Sequence, residues 1–427
     1  MMVENVKACS DNTGKVSMDV AIVGGGPIGL ALGRSLADRG FSVVVLEEHV
    51  AVGKPVQCAG LVSERAFSLS GLSTGSVVHE VSEARVVSPG GVEIRLGPSK
   101  KKMYVIDRHL FDREMAENFV RSGGVLGVGS RVVGFSSRGA APSHSVEMEH
   151  LSAISGRMGR YSARVVVGAD GVFSVVRKRF FRNSRRHILG AVEVEGFCEH
   201  DDTVAIVLGR GVAPGFFLWK IPSGERRARI GLAFSPPRPG PLDRPYFSYG
   251  RTAFENLVEF IRKGSETLGI WGFQPAQLIS GAIPVTPPLP STAGNVLLVG
   301  DAAGHVKATS GGGIVMGLRG AIHAARAIED FLDGRGPLEK YDDLWMGDIG
   351  RELLVDYVLH RTFFCASDAE VDHMMELFGS ENNLSVLNRL GDVDYPSRLI
   401  VPLLVRNPWL LRLLPRFMKN LFEAKRR

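Results

Sequence analysis

The sequence is poor in cysteine, with four residues in 427, at positions 9, 58, 198 and 365. None forms a Cys-x-x-Cys pair and none clusters with histidine at zinc-ligand spacing, so neither a metal site nor a disulfide framework is expected. Reduced thiols in a cytoplasmic protein are the expected state. Long apolar runs are missing as well. No stretch reaches the roughly 18 residues that a spanning helix needs. The first 17 residues, "MMVENVKACSDNTGKVS", are polar and lack the apolar segment of a secretory signal. The chain is therefore expected to be soluble or to lie on a membrane, not to cross one. Neither sign of charge dominates. Lysine and arginine total 51 against 45 acidic residues, a net charge of +6. So mild an excess fits a surface facing anionic lipid or phosphate, and it fits chance equally well. No nucleic-acid partner is expected. Internal repeats and low-complexity tracts are also absent.

What is present is a chain with 44% apolar residues and 51 glycines. Such a composition describes a globular, turn-rich protein, long enough for about two or three folding units. The fold signal starts at Met18. "MDVAIV" (18–23) has the continuous apolar character of a buried parallel strand. "GGGPIG" follows, then a helical pattern, then a second buried strand in "FSVVVLEE" (41–48). This is a βαβ unit. Residues 79–97 read as two alternating strands around a Pro-Gly-Gly turn, and 104–124 as a short strand entering an amphipathic helix. "SARVVVGADG" (162–171) and "GNVLLVGDAAG" (294–304) are further buried strands ending in turns; 190–284 is strand-rich with a helical insert near 253–268, and the chain beyond about 314 is helical. The expected class is α/β with an α+β insertion. A Rossmann-type nucleotide-binding domain (18–70, 100–185 and 285–335) would carry an inserted antiparallel domain (71–99 and 186–284). The polar extension 1–17 would precede it and a helical region (336–427) would follow.

Gly24, Gly26 and Gly29 form Gly-x-Gly-x-x-Gly between a strand and a helix. The first permits a tight turn, the second lets a pyrophosphate approach the backbone, and the third lets the helix pack close to the sheet. The helix N-terminus then offers free N–H groups to the phosphates. Glu47 ends the second strand, where a carboxylate can accept the ribose hydroxyls. Asp170 and Gly171, with Ser174 and Arg177, lie in "GADGVFSVVR"; Asp301 and Gly304 lie in "GDAAG". A carboxylate at that strand end can hold the ribityl and pyrophosphate region. Gly312, Gly313 and Ile314 open a helix whose N–H groups would face the N1/O2 edge of a flavin. A helix N-terminus stabilises the negative charge of a reduced flavin by ~0.3–1 kcal/mol when exposed. Arg108 is either a contact to the cofactor or a surface salt bridge.

These motifs, in this order, resemble the para-hydroxybenzoate-hydroxylase-like FAD superfamily over roughly 18–330. The resemblance implies FAD as cofactor. No second Gly-x-Gly-x-x-Gly is present, so an external electron donor such as NAD(P)H, ferredoxin or a quinone-like carrier would bind transiently. Residues 214–222, "PGFFLWKIP", further resemble the Pro-x-x-Tyr-x-Trp-x-Phe-Pro signature of the geranylgeranyl reductase family. Pro214, Trp219 and Pro222 match; Phe217 and Ile221 replace tyrosine and phenylalanine. "VGKPVQCAGLVS" (52–63) and "GDAAGHVKATSGGGI" (300–314) look like two more segments of that family.

The resemblance implies reduction of isoprenoid C=C bonds, with geranylgeranyl chains of archaeal ether phospholipids as substrate. Phe217, Trp219 and Ile221 would share one strand face and form an apolar substrate wall; plain core packing is the alternative. Cys58 would gate the pocket or relay a proton, or be inert. His305 and Lys307 would deliver a proton or be structural. In 397–427, Leu410, Leu413, Leu414, Phe417 and Leu421 fall on one helical face, with Arg412, Arg416 and Lys419 on another. Pro415 should kink or restart that helix. The segment is either an interfacial helix at the inner face of the cell membrane or a helix packed on its own domain. Two rival readings stand beside the reductase. One is an aromatic monooxygenase or halogenase, since "FLWKIP" also resembles the halogenase Trp-x-Trp-x-Ile-Pro motif. The other is a flavin-bearing lipid-binding protein without catalysis.

Overall fold

The computed structural model describes residues 9–10, 16–98, 102–136, 145–181, 186–235, 246–263, 265–364 and 366–425. Most of the N-terminal extension, and Cys365, lie outside the described residues. Five parallel strands form the heart of the first sheet. In spatial order they are Val296–Leu298, Met158–Gly168, Val16–Val23, Val43–Leu46 and Val125–Gly127. Val20–Val23, Val43–Leu46, Val165–Val167 and Val296–Leu298 are runs of Val, Leu, Ile and Ala buried on both faces, as a sheet covered on both sides requires, while the edge strand Val125–Gly127 is half-buried. Helices Pro27–Ala37, Arg108–Arg121 and Ile314–Leu332 cover one face through Leu30, Leu36, Phe111, Phe119 and Leu318. An antiparallel extension, Ser130–Ser136 and Val146–Ser152, continues the sheet beyond Met158–Gly168.

The second sheet has seven strands among the described residues. Its spatial order is Ile270–Val285, His187–His200, Arg227–Phe234, Phe217–Gly224, Val204–Leu208, Ala84–Val87 and Glu93–Leu96. One face packs on the helix Tyr246–Lys263 through Leu218, Ile230, Leu232 and Leu257. The other face packs on Leu61, Val81 and Val105 and, from the C-terminal helices, on Tyr357, Val358 and Ala424. The segment expected to hold two strands holds three. Val77–Val81 leaves the pair and joins Leu61–Ser63 and Met103–Ile106 in a separate three-stranded sheet. The chain breaks at Ser82–Glu83, whose polar side chains interrupt the alternation.

From Ile314 the chain is helical, as expected. Pro408–Leu413 is a 3₁₀ turn, and the last helix, Leu414–Lys425, starts one residue before Pro415. Proline is tolerated there because the N–H it lacks would be unpaired in a first helical turn. No helix among the described residues is long and apolar enough to cross a membrane.

Candidate flavin and substrate site

Parallel strand pairing brings the sequence motifs together. Val23 lies opposite both Gly168 and Leu46, and Gly168 lies opposite Leu298. The glycine-rich loop, "GADG", "GDAAG" and Glu47 therefore leave the same, C-terminal edge of four adjacent strands. Ligands bind at this edge in open α/β sheets.

Each glycine has a distinct reason. Gly24 has φ +105°, and a Cβ there would lie 2.4 Å from the Ala169 carbonyl oxygen. A Cβ at Gly29 would lie 2.2 Å from the Gly24 carbonyl oxygen. Both permit tight packing of loop, helix and sheet. Gly26 differs, because a Cβ there would meet no atom within 4 Å. Its openness leaves room for something outside the chain. Gly171 is similarly open. Glu47 accepts a hydrogen bond from the Gly25 N–H at 2.8 Å and from the His49 N–H at 2.9 Å, which fixes its carboxylate beside the loop.

The acidic residues of the other loops converge on the same edge. Asp170 Oδ2 accepts from the Val175 N–H at 2.7 Å, while its buried Oδ1 has no partner among the described residues. Burial raises its pKa, against several hydrogen bonds. Asp301 leans on Gly313; a Cβ at that glycine would lie 2.8 Å from Asp301 Oδ1. The Asp301 pKa is raised by burial, opposed by the charges of Arg186 and Arg108. Arg186 donates to the carbonyls of Val172 and Asp301, and its buried Nε has no partner among the described residues. An open glycine cradle, carboxylates at adjacent strand ends and orphaned buried polar atoms fit a dinucleotide. Gly304, at φ +84°, closes the "GDAAG" turn against Thr286. Gly312 and Gly313 lead into the helix at Ile314.

Arg108 forms the ion pair, at 2.9 Å to Asp112 Oδ2, but it is a buried pair and not a surface one. Its guanidinium also interacts with the Cys58 thiol. Cys58 sits half-buried, its sulfur accepting from the Gly60 N–H at 3.4 Å. The two residues thus share one corner. His305 does not join them. It is 0% exposed, its ring packed between Gly320 and Trp345 with a centroid separation of 4.6 Å to the indole. Burial lowers its pKa to about 3, helped by nearby His323 and Arg186. A neutral imidazole enclosed in the core favours the structural role over proton delivery. Lys307 is likewise committed, to the carbonyl of Val393 at 2.7 Å and to Asp394 at 2.8 Å.

The aromatic strand faces this region. Phe217, Trp219 and Ile221 lie in one apolar cluster with Val81, Val105, Ala308, Tyr357 and Val358. Ala59 and Leu61, which follow Cys58, border the same cluster. Leu218 takes the opposite face, toward Leu257. Phe216 departs from the expected alternation. It stacks on Phe217 at 4.2 Å, because the strand begins only at Phe217. Lys220 is 0% exposed and tied to Asp201 and the Thr203 carbonyl.

Two charged residues of this face escaped sequence reasoning. Glu193 accepts from the Trp219 indole N–H at 2.7 Å. Arg229 donates to the carbonyls of Ala59 and Ile106, pinning the Cys58 segment over the sheet. In sequence both sit in alternating strands, where charged positions ordinarily mark solvent.

Residues 17–196 match the model of an FAD binding domain. The chain is 29% identical over 392 residues to an uncharacterized protein of Methanocaldococcus jannaschii, covering 90% of this chain and 94% of that one. It is 29% identical over 374 residues to digeranylgeranylglycerophospholipid reductase 1 of Methanococcoides burtonii, covering 84% and 87%. The chain resembles the geranylgeranyl reductase family. A solved geranylgeranyl bacteriochlorophyll reductase-like protein of Thermoplasma acidophilum shares the fold, with a TM-score of 0.80 at 22% identity over 95% of this chain and all of that one. With the family resemblance, the FAD domain and the fitting cradle together, the protein is an FAD-dependent oxidoreductase.

Proposed function

We propose that the protein saturates C=C bonds of geranylgeranyl chains, with archaeal ether phospholipids as the substrate class. The observation that carries this reading is the apolar cluster around Trp219. It brings the aromatic strand, the segment after Cys58 and Ala308 of the flavin loop to one place. Bound FAD, once reduced, supplies a hydride. The residues of this chain supply the rest. The glycine loop, Glu47, Asp170, Arg186 and Asp301 would hold the cofactor. Phe217, Trp219 and Ile221 would line the prenyl chain and exclude water. Arg108 would position the Cys58 segment against the cofactor. The test is anaerobic mixing of the photoreduced protein with geranylgeranyl phospholipid and, separately, with its saturated counterpart. Reoxidation by the unsaturated lipid alone supports the reading. Reoxidation only on admitting air would instead favour oxygen chemistry, as in a monooxygenase or halogenase.

A membrane-facing surface fits such a substrate, though of the face expected from the sequence only Leu414 belongs to it. Leu410 is buried, and Leu413, Phe417 and Leu421 pack on their own protein. Pro415 and its neighbours instead expose a second apolar set: Val401, Val405 (74% exposed), Leu411, Leu414, Met418 and Phe422 (59%). Arg406, Arg412, Lys419 and Lys425 are exposed on the same segments. Apolar residues interspersed with cations suit an anionic lipid surface. The helix Leu414–Lys425 links this patch to the site, since Phe417, Leu421 and Ala424 on its inner side join the Trp219 cluster. Converting both Val405 and Phe422 to aspartate should abolish sedimentation with anionic liposomes. It should leave FAD content and reaction with detergent-dispersed lipid unchanged. Undiminished liposome binding would remove this surface from the account.

A further inference from the structure

Strand register defines two neighbouring rows on the inward face of the seven-stranded sheet. Gly281, Ala191 and Ala233 are register partners in one row; Ile279, Glu193, Gly231 and Trp219 are partners in the next. On these three strands the first row carries only small side chains, and Phe217 follows at its end on the fourth strand. Across from it lies the Cys58 segment, with the Gln57 carbonyl oxygen 3.4 Å from where a Gly281 Cβ would stand. Ala191, on a strand paired on both sides, and Gly281, on the edge strand, keep partial exposure. Glu193 is the next residue on that face of its strand, two positions on from Ala191.

Glu193 is held in place with care. Gly231 has no side chain, so the Trp219 ring crosses it; a Cβ there would lie 2.5 Å from Trp219 Cζ2. The indole N–H thereby reaches Glu193 Oε2 at 2.7 Å. The other carboxyl oxygen, Oε1, is buried and has no partner among the described residues. Glu193 is 3% exposed. Its register neighbour on the far strand, Ile279, brings no charge. Arg229 and Glu195 bear on it from the next row; Arg229 is engaged with the Ala59 and Ile106 carbonyls and stands 3.6 Å from Glu195. The facing segment carries Cys58, which interacts with Arg108 of the Arg108–Asp112 pair on the helix Arg108–Arg121. Burial raises the Glu193 pKa to about 7, against the Trp219 hydrogen bond and the Arg229 charge. A side chain needed only to anchor Trp219 would require one acceptor, and glutamine would supply it. A carboxyl with a second, unmet oxygen beside a row of small residues is equipped for more.

We propose that Glu193 delivers the proton in C=C reduction, an assignment that rests on the prenyl reading above. In the step, the π bond breaks and two C–H bonds form. One carbon takes the hydride that reduced FAD supplies; the other takes the Glu193 carboxyl proton. The alkene is reduced, FAD is oxidised, and the carboxylate left at Glu193 is reprotonated from solvent. Trp219 acts as a positioning residue for that carboxyl.

The test compares wild type, Glu193→Gln and Trp219→Phe. Each photoreduced protein is mixed anaerobically with digeranylgeranylglyceryl phosphate in detergent, across about pH 5 to 9. A proton donor must be protonated, so the wild-type rate should fall as pH rises through about 7. Glu193→Gln should be at least ~100-fold slower at low pH and lack that limb, with FAD affinity and melting temperature retained. Trp219→Phe removes a bond that favours the carboxylate, so its limb should move to higher pH. In infrared spectra of the oxidised protein, a carboxylic-acid band should titrate near neutral pH in wild type and be missing in Glu193→Gln. Full-rate turnover by Glu193→Gln, a limb unmoved in Trp219→Phe, or no such band would overturn the assignment while leaving the prenyl reading intact. A wild type inert toward the lipid would sink that reading, and the assignment with it.

Discussion

Replacing Gly26 by valine should strip the protein of FAD while leaving its fold intact. The glycine has φ −75° and ψ 175°, an extended conformation that a β-branched residue adopts readily. A Cβ there meets no atom of the chain within 4 Å, so the added methyl groups enter the space where the pyrophosphate would lie. We expect FAD affinity to fall at least ~100-fold, equivalent to about 2.7 kcal/mol. The stability of the apoprotein should stay within ~0.5 kcal/mol of wild type. Gly24→Ala is the contrasting case. Its collision with Ala169 and its positive φ should destabilise the protein even without cofactor. Flavin titration and thermal melting of the two apoproteins separate the cases. Equal flavin binding by Gly26→Val would place the cofactor elsewhere.

Trp219→Ala should have the second large effect. The indole fills the inward face of the second sheet, crosses Gly231 and holds Glu193. Truncating a buried aromatic residue costs about 3–5 kcal/mol, so the melting temperature should fall. Below that temperature the variant should still bind FAD and accept electrons from dithionite, because the flavin cradle lies on other strands. Its reoxidation by prenyl lipid should drop at least ~100-fold, since both the wall and the proton-donor geometry are lost. Rapid-mixing absorbance under argon measures this. A folded variant that reoxidises at the wild-type rate would show that Trp219 is core packing and nothing more.

Particular residues explain what the sequence revealed and what it hid. The parallel strands were legible because burial on both faces leaves continuous apolar runs, as in "VVVL" at 43–46. The cofactor loops were legible because backbone geometry at Gly24 and Gly29 leaves no alternative residue type. The Val77–Val81 strand was misplaced because alternation reports which side is buried, not which sheet buries it. The C-terminal helix shows the same limit. Two apolar stripes run along it, and only tertiary contact decides that Phe417 and Leu421 turn inward while Met418 and Phe422 turn outward. Glu193 was invisible for a related reason. In "AVEVEGF" a charged residue at every second position suggests a solvated face, yet that face lies beneath the Cys58 segment, and Trp219, which holds Glu193, is 26 residues away in sequence.

The central claim is that this flavoprotein passes its electrons to an isoprenoid double bond. The most direct measurement is the mass of geranylgeranyl phospholipid recovered from a single anaerobic turnover, set against the flavin oxidised in the same sample. The account predicts that the lipid gains two hydrogens for each flavin reoxidised. Flavin that stays reduced beside unchanged lipid, or that reoxidises without any gain in lipid mass, would contradict it.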